Sequence, residues 1–202
     1  MPKHHRLLTT KPVSPNQYTG VAMEHTVFGL LMTGGLTPIR SSFEDLHGPD
    51  DLGEWLSSVV LDGTRVAPSR SDLESAIALR EAIFQTIRHK TKGAPLGKQD
   101  LETINRVAHA APLVPAMAAG TAKRVWAKPP TARAALSTIA RDAIELLTGP
   151  LADRVRECAN PKCELVFVDS SPPGRRRWCS MDRCGNRAKT RAYRRRRERQ
   201  NR

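Results

Sequence analysis

The sequence predicts an α+β protein: a helix-rich N-terminal domain with a few strands, followed by a small module of knuckle, β-hairpin and long basic helix. Three observations carry this reading. Apolar residues recur at helical spacing through most of the chain, all four cysteines fall between Cys158 and Cys184, and positive charge gathers at the end. Of the net charge of +13, residues 154–202 hold 16 Lys and Arg against 5 Asp and Glu, and the preceding residues 17 against 15. A near-neutral body with a cationic end is the pattern of a polyanion-binding module attached to something else. With only 4% aromatic residues, the core must rest on Leu, Ile, Val and Ala.

Residues 1–20, with Pro2, Pro12 and Pro15 among polar side chains, read as a loose arm. The adjacent His4 and His5 have no partner ligands nearby and read as an exposed pair rather than a metal site. Val27–Leu36 is short and broken by Gly29, Gly34 and Gly35, which makes it a buried element and not a signal peptide. No stretch approaches the ~20 apolar residues that cross a bilayer, and the basic tail lacks the apolar stripe of an interfacial helix. The expectation is a cytoplasmic, nucleoid-associated protein with reduced thiols and no membrane partner.

The body spans residues 21–153. Asp50 or Asp51 is expected to cap a short helix burying Leu52, Trp55, Leu56 and Val59. Ser71 and Glu74 form a capping box, opening a helix to about Lys90 with Leu73, Ile77, Phe84 and Ile87 inward. Arg80 falls on that apolar stripe: either an internal carboxylate or helix-end carbonyl satisfies it, or it is a ligand site awaiting an anion. Gly93, Pro95 and Gly97 break the chain before a helix from about Gln99 to Ala110, with Leu101, Ile104 and Val107 inward. Pro112, Pro115 and Gly120 mark a loop, and Val125-Trp126-Ala127 a short strand. A third long helix, about Thr131 to Leu147, buries Leu136, Ile139, Ala140, Ala143, Ile144 and Leu147, and Gly149-Pro150 ends it.

Residues 154–202 form the second module. Cys158 and Cys163 make one Cys-x4-Cys pair, and Cys179 and Cys184 the other, separated by fifteen residues. Two such knuckles facing each other suit tetrahedral Zn²⁺. Few aliphatic side chains lie here, so one structural zinc ion would supply the stability they cannot. Two disulfides, unrelated thiols, an iron–sulfur cluster or a redox switch are the alternatives. Leu165–Val168 reads as a strand, Pro172-Pro173-Gly174 as a hairpin turn and Arg175–Trp178 as the returning strand. A helix starts near Ser180, whose positive end favours the Cys179 and Cys184 thiolates. This order makes a treble-clef-like zinc finger.

Cys184-Gly185-Asn186-Arg187, preceded by Arg176-Arg177-Trp178-Cys179-Ser180-Met181 and by Phe167, Asp169 and Ser171, resembles the CGNR zinc finger. The body is similar, more diffusely, to the ABATE domain that usually precedes that finger. The residues that carry this are Leu52 with Trp55-Leu56, Leu79-Arg80-Glu81-Ala82, Leu101 with Asn105, and Arg154. Departures are Ser171-Pro172, where the family often has Ser-Arg, and Met32-Thr33, where it often has Asn-Thr. The resemblance implies a bacterial transcription regulator with a mixed α/β body.

In the terminal helix Met181, Cys184, Ala188 and Ala192 should face the metal module, while Arg183, Arg187, Thr190, Arg194 and Arg197 form a cationic ridge flanked by Asn186 and Lys189. Asn186, Arg187 and Thr190 are candidates for base edges. Arg191, Arg194, Arg195 and Arg197 are candidates for phosphates, and Arg175, Arg176, Arg177 and Arg183 complete the candidate nucleic-acid surface. Asn186 could instead brace the zinc loop. Asp169 is expected to pair with an arginine, and Trp178 to be core rather than a stacking platform. The expected partner is double-stranded DNA, with RNA as the alternative. A small-molecule effector and a homodimer remain open. A tethered enzyme is the third reading, and no cluster of catalytic residue types supports it.

Overall fold

A computed structural model describes residues 25–200. The expected arm and the His4–His5 pair lie outside these residues. The chain runs α1 (Thr26–Met32), α2 (Pro49–Val59), α3 (Arg70–Thr91), α4 (Lys98–Ala108), β1 (Pro115–Met117), β2 (Arg124–Trp126), α5 (Ala132–Thr148), β3 (Val155–Glu157), β4 (Val166–Val168) and α6 (Asn186–Gln200). It is a helix-rich α+β architecture with two separate two-stranded ribbons, β1–β2 and β3–β4, both antiparallel.

The core lies where α3 meets α1, α4 and α5. From α3 it takes Leu79, Ile83 and Ile87, and from α5 Ala135, Ile139, Ala140 and Ala143, all removed from solvent. Alanines on α5 let the neighbouring helices approach closely, while leucines and isoleucines on α3 fill the space. Each fully buried Leu or Ile contributes about 1.5–3 kcal/mol of transfer free energy. Helix α1 is only seven residues long and too short to persist alone. Its first turn is capped by another element: Asp142 of α5 accepts from the Val27 N–H (2.9 Å) and Thr26 Oγ1 (3.1 Å), and pairs with His25.

Several expected boundaries shift. Helix α3 starts two residues earlier than expected, with Ser69 as its cap; Ser69 Oγ accepts from the Asp72 N–H (3.1 Å) and Asp72 answers the Ser69 N–H (2.8 Å). Ser69-x-x-Asp72 and Ser71-x-x-Glu74 both satisfy the capping pattern, and the first adds helical residues at no loss. Glu74 instead pairs with Arg70 across one turn. Helix α2 is entered through Pro49 at its first position, and Asp51 turns back to the Gly48 N–H (2.8 Å). Val59 is 39% exposed, and the following Val60 and Leu61 take the core positions. Leu146 is buried where Ile144 and Leu147 were expected. Thr131 caps α5, its hydroxyl accepting from the Ala134 N–H (3.1 Å). The segment expected to be a loop around Pro115 contains β1, which pairs with β2 in the register Ala116↔Val125.

The larger correction concerns the hairpin. Strand β4 pairs with β3, in the register Val155↔Val168, Arg156↔Phe167 and Glu157↔Val166, and not with Arg175–Trp178. Val155, Val166 and Val168 join the core of the body, whereas Phe167, on the opposite pleat, packs with Cys158 and Cys184. Pro172 and Pro173 have no N–H to donate to a ladder, and the Arg176 N–H is taken by the Asp169 carboxylate (2.7 Å). Residues 175–178 are therefore an irregular return.

Candidate metal centre and nucleic-acid interface

The first knuckle, 158–163, is the turn of the β3–β4 hairpin. The Cys158 N–H donates to Leu165 O (2.8 Å) and the Cys163 N–H to Asn160 O (3.0 Å). The second pair is brought over by the 164–178 segment, which the Ala159 N–H ties back through Arg177 O (2.8 Å). Ser180 then caps a π-turn, Met181–Gly185, accepting from the Arg183 N–H through its hydroxyl, and both the Cys184 and Gly185 N–H groups reach Ser180 O. This wide turn aims Cys184 back at Cys179. A Cβ on Gly185 would stand 2.6 Å from Met181 Sδ and 3.4 Å from Trp178 Cδ1, so a larger residue there would push the exposed Met181 side chain aside.

The four Sγ atoms lie within 4.8 Å of one another. Cys163–Cys179 is 3.6 Å and Cys179–Cys184 3.7 Å, against the edge of about 3.8 Å for a tetrahedron with Zn–S bonds of about 2.3 Å. None of the four is in a disulfide. Hydrogen bonds from the Cys163 and Cys179 thiols bring Cys158 down to about 2. Those same bonds to Cys158 push Cys163 up to about 12 and Cys179 upward. Thiols this close can share one negative charge among themselves, and a dication allows all of them to ionise. The Asn160 Nδ2–H donates to Cys184 Sγ (3.3 Å) and the Cys179 N–H to Cys158 Sγ (3.5 Å). Donors on thiolates stabilise a site that carries net −2. Cys158, Cys163, Cys179 and Cys184 thus hold one structural zinc ion.

Around this site the expected nucleic-acid residues separate into two groups. Arg175, Arg177, Asn186, Arg187, Lys189, Thr190, Arg194, Arg195 and Arg197 are exposed. Arg177 also lies over the Trp178 ring at 5.3 Å, and Trp178 packs on the metal cluster as expected of a core residue. Arg176 and Arg191 are instead half-buried and engaged inside the finger. Arg176 Nε donates to Trp178 O (2.8 Å), its Nη2 reaches Cys179 O, and its guanidinium covers Phe167 at 4.8 Å. Arg191 Nη2 donates to Asn160 Oδ1 (3.1 Å). Arg183 sits half-buried in the π-turn.

Met181, expected to face the metal, is 49% exposed. Asp169 is buried, but its partners are the Ser171 hydroxyl (2.6 Å), the Ser171 N–H (3.0 Å) and the Arg176 N–H rather than a guanidinium. Burial alone would raise its pKa; these bonds hold it below the usual carboxylate range. Arg154 donates to Ser171 O (2.9 Å) and lies where a Cβ on Gly174, at φ +62°, would collide with it.

Residues 24–150 match the model of ABATE, described as "Putative stress-induced transcription regulator", and residues 154–197 that of the CGNR zinc finger. The chain belongs to the ABATE family. No curated protein matches the chain. Within this ABATE chain Arg80, one of the residues that carry the resemblance, is fully buried, and its fork is already filled. Nη1 and Nη2 donate to the two oxygens of Glu44 at 2.7 and 2.6 Å, and Nη1 also to Thr33 Oγ1 at 3.0 Å. The ligand-site expectation for Arg80 is therefore corrected: the chain supplies the anion itself. Arg40, invisible as a core residue in the sequence, stacks on Phe84 at 3.8 Å and pairs with Glu81 beside it.

The sequence also concealed how the ABATE body grips the finger. Arg88 of α3 pairs with Glu157 (3.5 Å) and Glu164 (3.7 Å), which flank the first knuckle on either side, and Thr37 hydrogen-bonds Glu164 as well. Glu164 holds φ +53°, a conformation costing roughly 1–2 kcal/mol. Only the fold brings its partners together, so no local signal could have revealed it.

Proposed function

We propose that this chain is a zinc-dependent, DNA-binding transcription regulator in which α6 contacts duplex DNA and the body senses a ligand or mediates assembly. The observation that carries the reading is α6 itself: fifteen residues, none buried, with eight Lys or Arg against the single acid Glu198. Only Ala188, Arg191 and Ala192 are partly covered, which leaves the rest of the helix surface open to a partner, and a helix this cationic suits a phosphate chain. Membership of a family described as transcription regulators makes DNA the first choice. The finger's chemistry is structural, so the proposed role is binding and not catalysis.

The sensing reading is supported by an open cleft of about 500 Å³ where α3 meets the knuckle, lined by Arg88, Lys92, Arg156, Glu157, Asn160 and Glu164 among others. The assembly reading is supported by Val114, Met117 and Val125, exposed on or beside the β1–β2 ribbon. RNA is the second reading, and Tyr193, 64% exposed on α6, is the feature that favours it, since an exposed ring can stack on an unpaired base.

Selection of bound sequences from random duplex DNA by the zinc-loaded chain, with duplex RNA and single strands as competitors, tests this. An enriched duplex motif is expected, and preference for RNA or single strands sinks the DNA reading. Arg187→Ala should cost about 1–3 kcal/mol on the selected site and relax one position, whereas Arg196→Ala should weaken all sequences alike. Equal behaviour of the two variants in titrations on selected and random duplexes refutes this division.

A further inference from the structure

Side-chain contacts taken in series connect the body to α6. Arg88 and Thr37 hold the knuckle through Glu157 and Glu164. Within the knuckle Asn160, 3% exposed, places its Nδ2 on Cys184 Sγ and its Oδ1 under Arg191 Nη2, with the Lys162 N–H on the same oxygen at 3.3 Å. The orientation of this amide is chemically determined. Turned over, it would set an oxygen against a thiolate and an NH₂ against a guanidinium and a backbone N–H. Asn160 therefore reads the metal site at one end and the helix at the other.

We propose that Arg191 is a positioning residue: through Asn160 it fixes the direction in which α6 leaves the zinc centre, and it is not a phosphate contact. This rests on the reading of α6 as the DNA-binding helix, but the contact exists in the free chain. Helix α6 has no fully buried residue, only the half-buried Ala188, Arg191 and Ala192 on one face, so a charge-assisted hydrogen bond to a buried amide carries weight in orienting it. Arg187, Arg194 and Arg197 of the ridge are exposed and can serve the nucleic acid. Along this route the body also gains a mechanical hold on the helix, because Asn160 belongs to the knuckle that Arg88 brackets.

The test uses the full zinc-loaded chain, with zinc content measured first to show that each variant keeps one ion. Amide hydrogen exchange of free protein is then compared for wild type, Arg191→Ala, Arg191→Lys, Asn160→Ala and, as a control of equal charge change, Arg199→Ala. Exchange over 186–192 should accelerate about tenfold in the first three variants and not in the control. The Arg191→Ala/Asn160→Ala double variant should be no worse than either alone. In duplex titrations Arg191→Lys should lose affinity although it keeps its charge. A phosphate contact would tolerate lysine and leave exchange unaltered, and Arg191→Ala would then lower the salt slope by about 0.9. That outcome overturns the proposal, as do additive losses in the double variant or unchanged exchange in Arg191→Ala. Failure of the chain to bind any duplex would sink the DNA reading while leaving the exchange result to decide this one. If Asn160→Ala loses zinc, the Arg191 variants alone decide.

Discussion

Helices α3 and α6 are both long and both rich in arginine, yet they owe their existence to different forces. Helix α3 buries nine of its 22 residues, and even its buried charge Arg80 is matched by Glu44. Helix α6 buries none of fifteen, and its first turn grows from a π-turn whose Cys184 is a metal ligand. The first is a product of packing, as most protein helices are. The second is the exposed extension of a coordination site. The comparison teaches that arginine in a helix has no meaning by itself; its neighbours decide whether it holds the fold or is held out by it.

The strongest way to break this comparison is to remove the metal. Cys163→Ser or a strong chelator should release the zinc and unfold residues 175–200 with α6, while β4 stays paired with β3 in the body's core, at a cost on the scale of the roughly 10–16 kcal/mol that structural zinc supplies. Protection from hydrogen exchange in α3 and α5 should persist. Acid acts in the same direction, since protons compete with zinc for the thiolates, and metal release on lowering the pH can be followed with a chromogenic chelator. Simultaneous loss of α3 protection would show the two helices to be one cooperative unit.

A smaller blow should fall on the other side. Glu44→Gln leaves the Arg80 guanidinium buried without its counter-charge, and denaturant unfolding should show a loss toward the low end of roughly 3–5 kcal/mol, because Glu44 is partly exposed. Burial tends to raise the Glu44 carboxyl, but Arg80 holds it below its ordinary value of 4.5. A depressed carboxylate stabilises the fold above that value, and this stabilisation disappears as pH falls through the lowered one. The wild type should therefore lose stability on acidification below about pH 4.5 more steeply than Glu44→Gln. Parallel pH curves would show that the pair contributes nothing. The smallest effect belongs to the surface: Glu74→Gln breaks a pair whose members are 89% and 68% exposed, and should change stability by no more than about 0.5 kcal/mol.

Much of this was legible in the sequence where one force acted locally. Apolar spacing located α2 to α5, since burial of one face is the dominant local demand on a helix. Four cysteines with matched spacing located the metal centre because tetrahedral coordination needs little beyond four donors. Features that depend on distant partners were not legible. Val155-Arg156-Glu157 carries too little pattern to announce itself as a strand, and only its pairing with Val166–Val168 makes it one. Asn160 carries no local signal, and Arg176 and Arg191 read as candidates for the nucleic-acid surface, which their contacts inside the finger correct. Ser69 and Ser71 were equally good caps by chemistry, and the helix took the longer option.

The alternation along β4 has a consequence for how this protein can be taken apart. Val166 and Val168 complete the body's interior while Phe167, between them, covers the metal cluster. A cut placed between the two family matches, near residue 152, would leave the truncated body with an open apolar seam and give the excised finger three uncovered valines. Transplanting the finger onto another protein would therefore require a recipient shaped to receive that strip. The boundary visible in sequence is a seam of shared carpentry, and evolution can exchange the two halves only by refitting both.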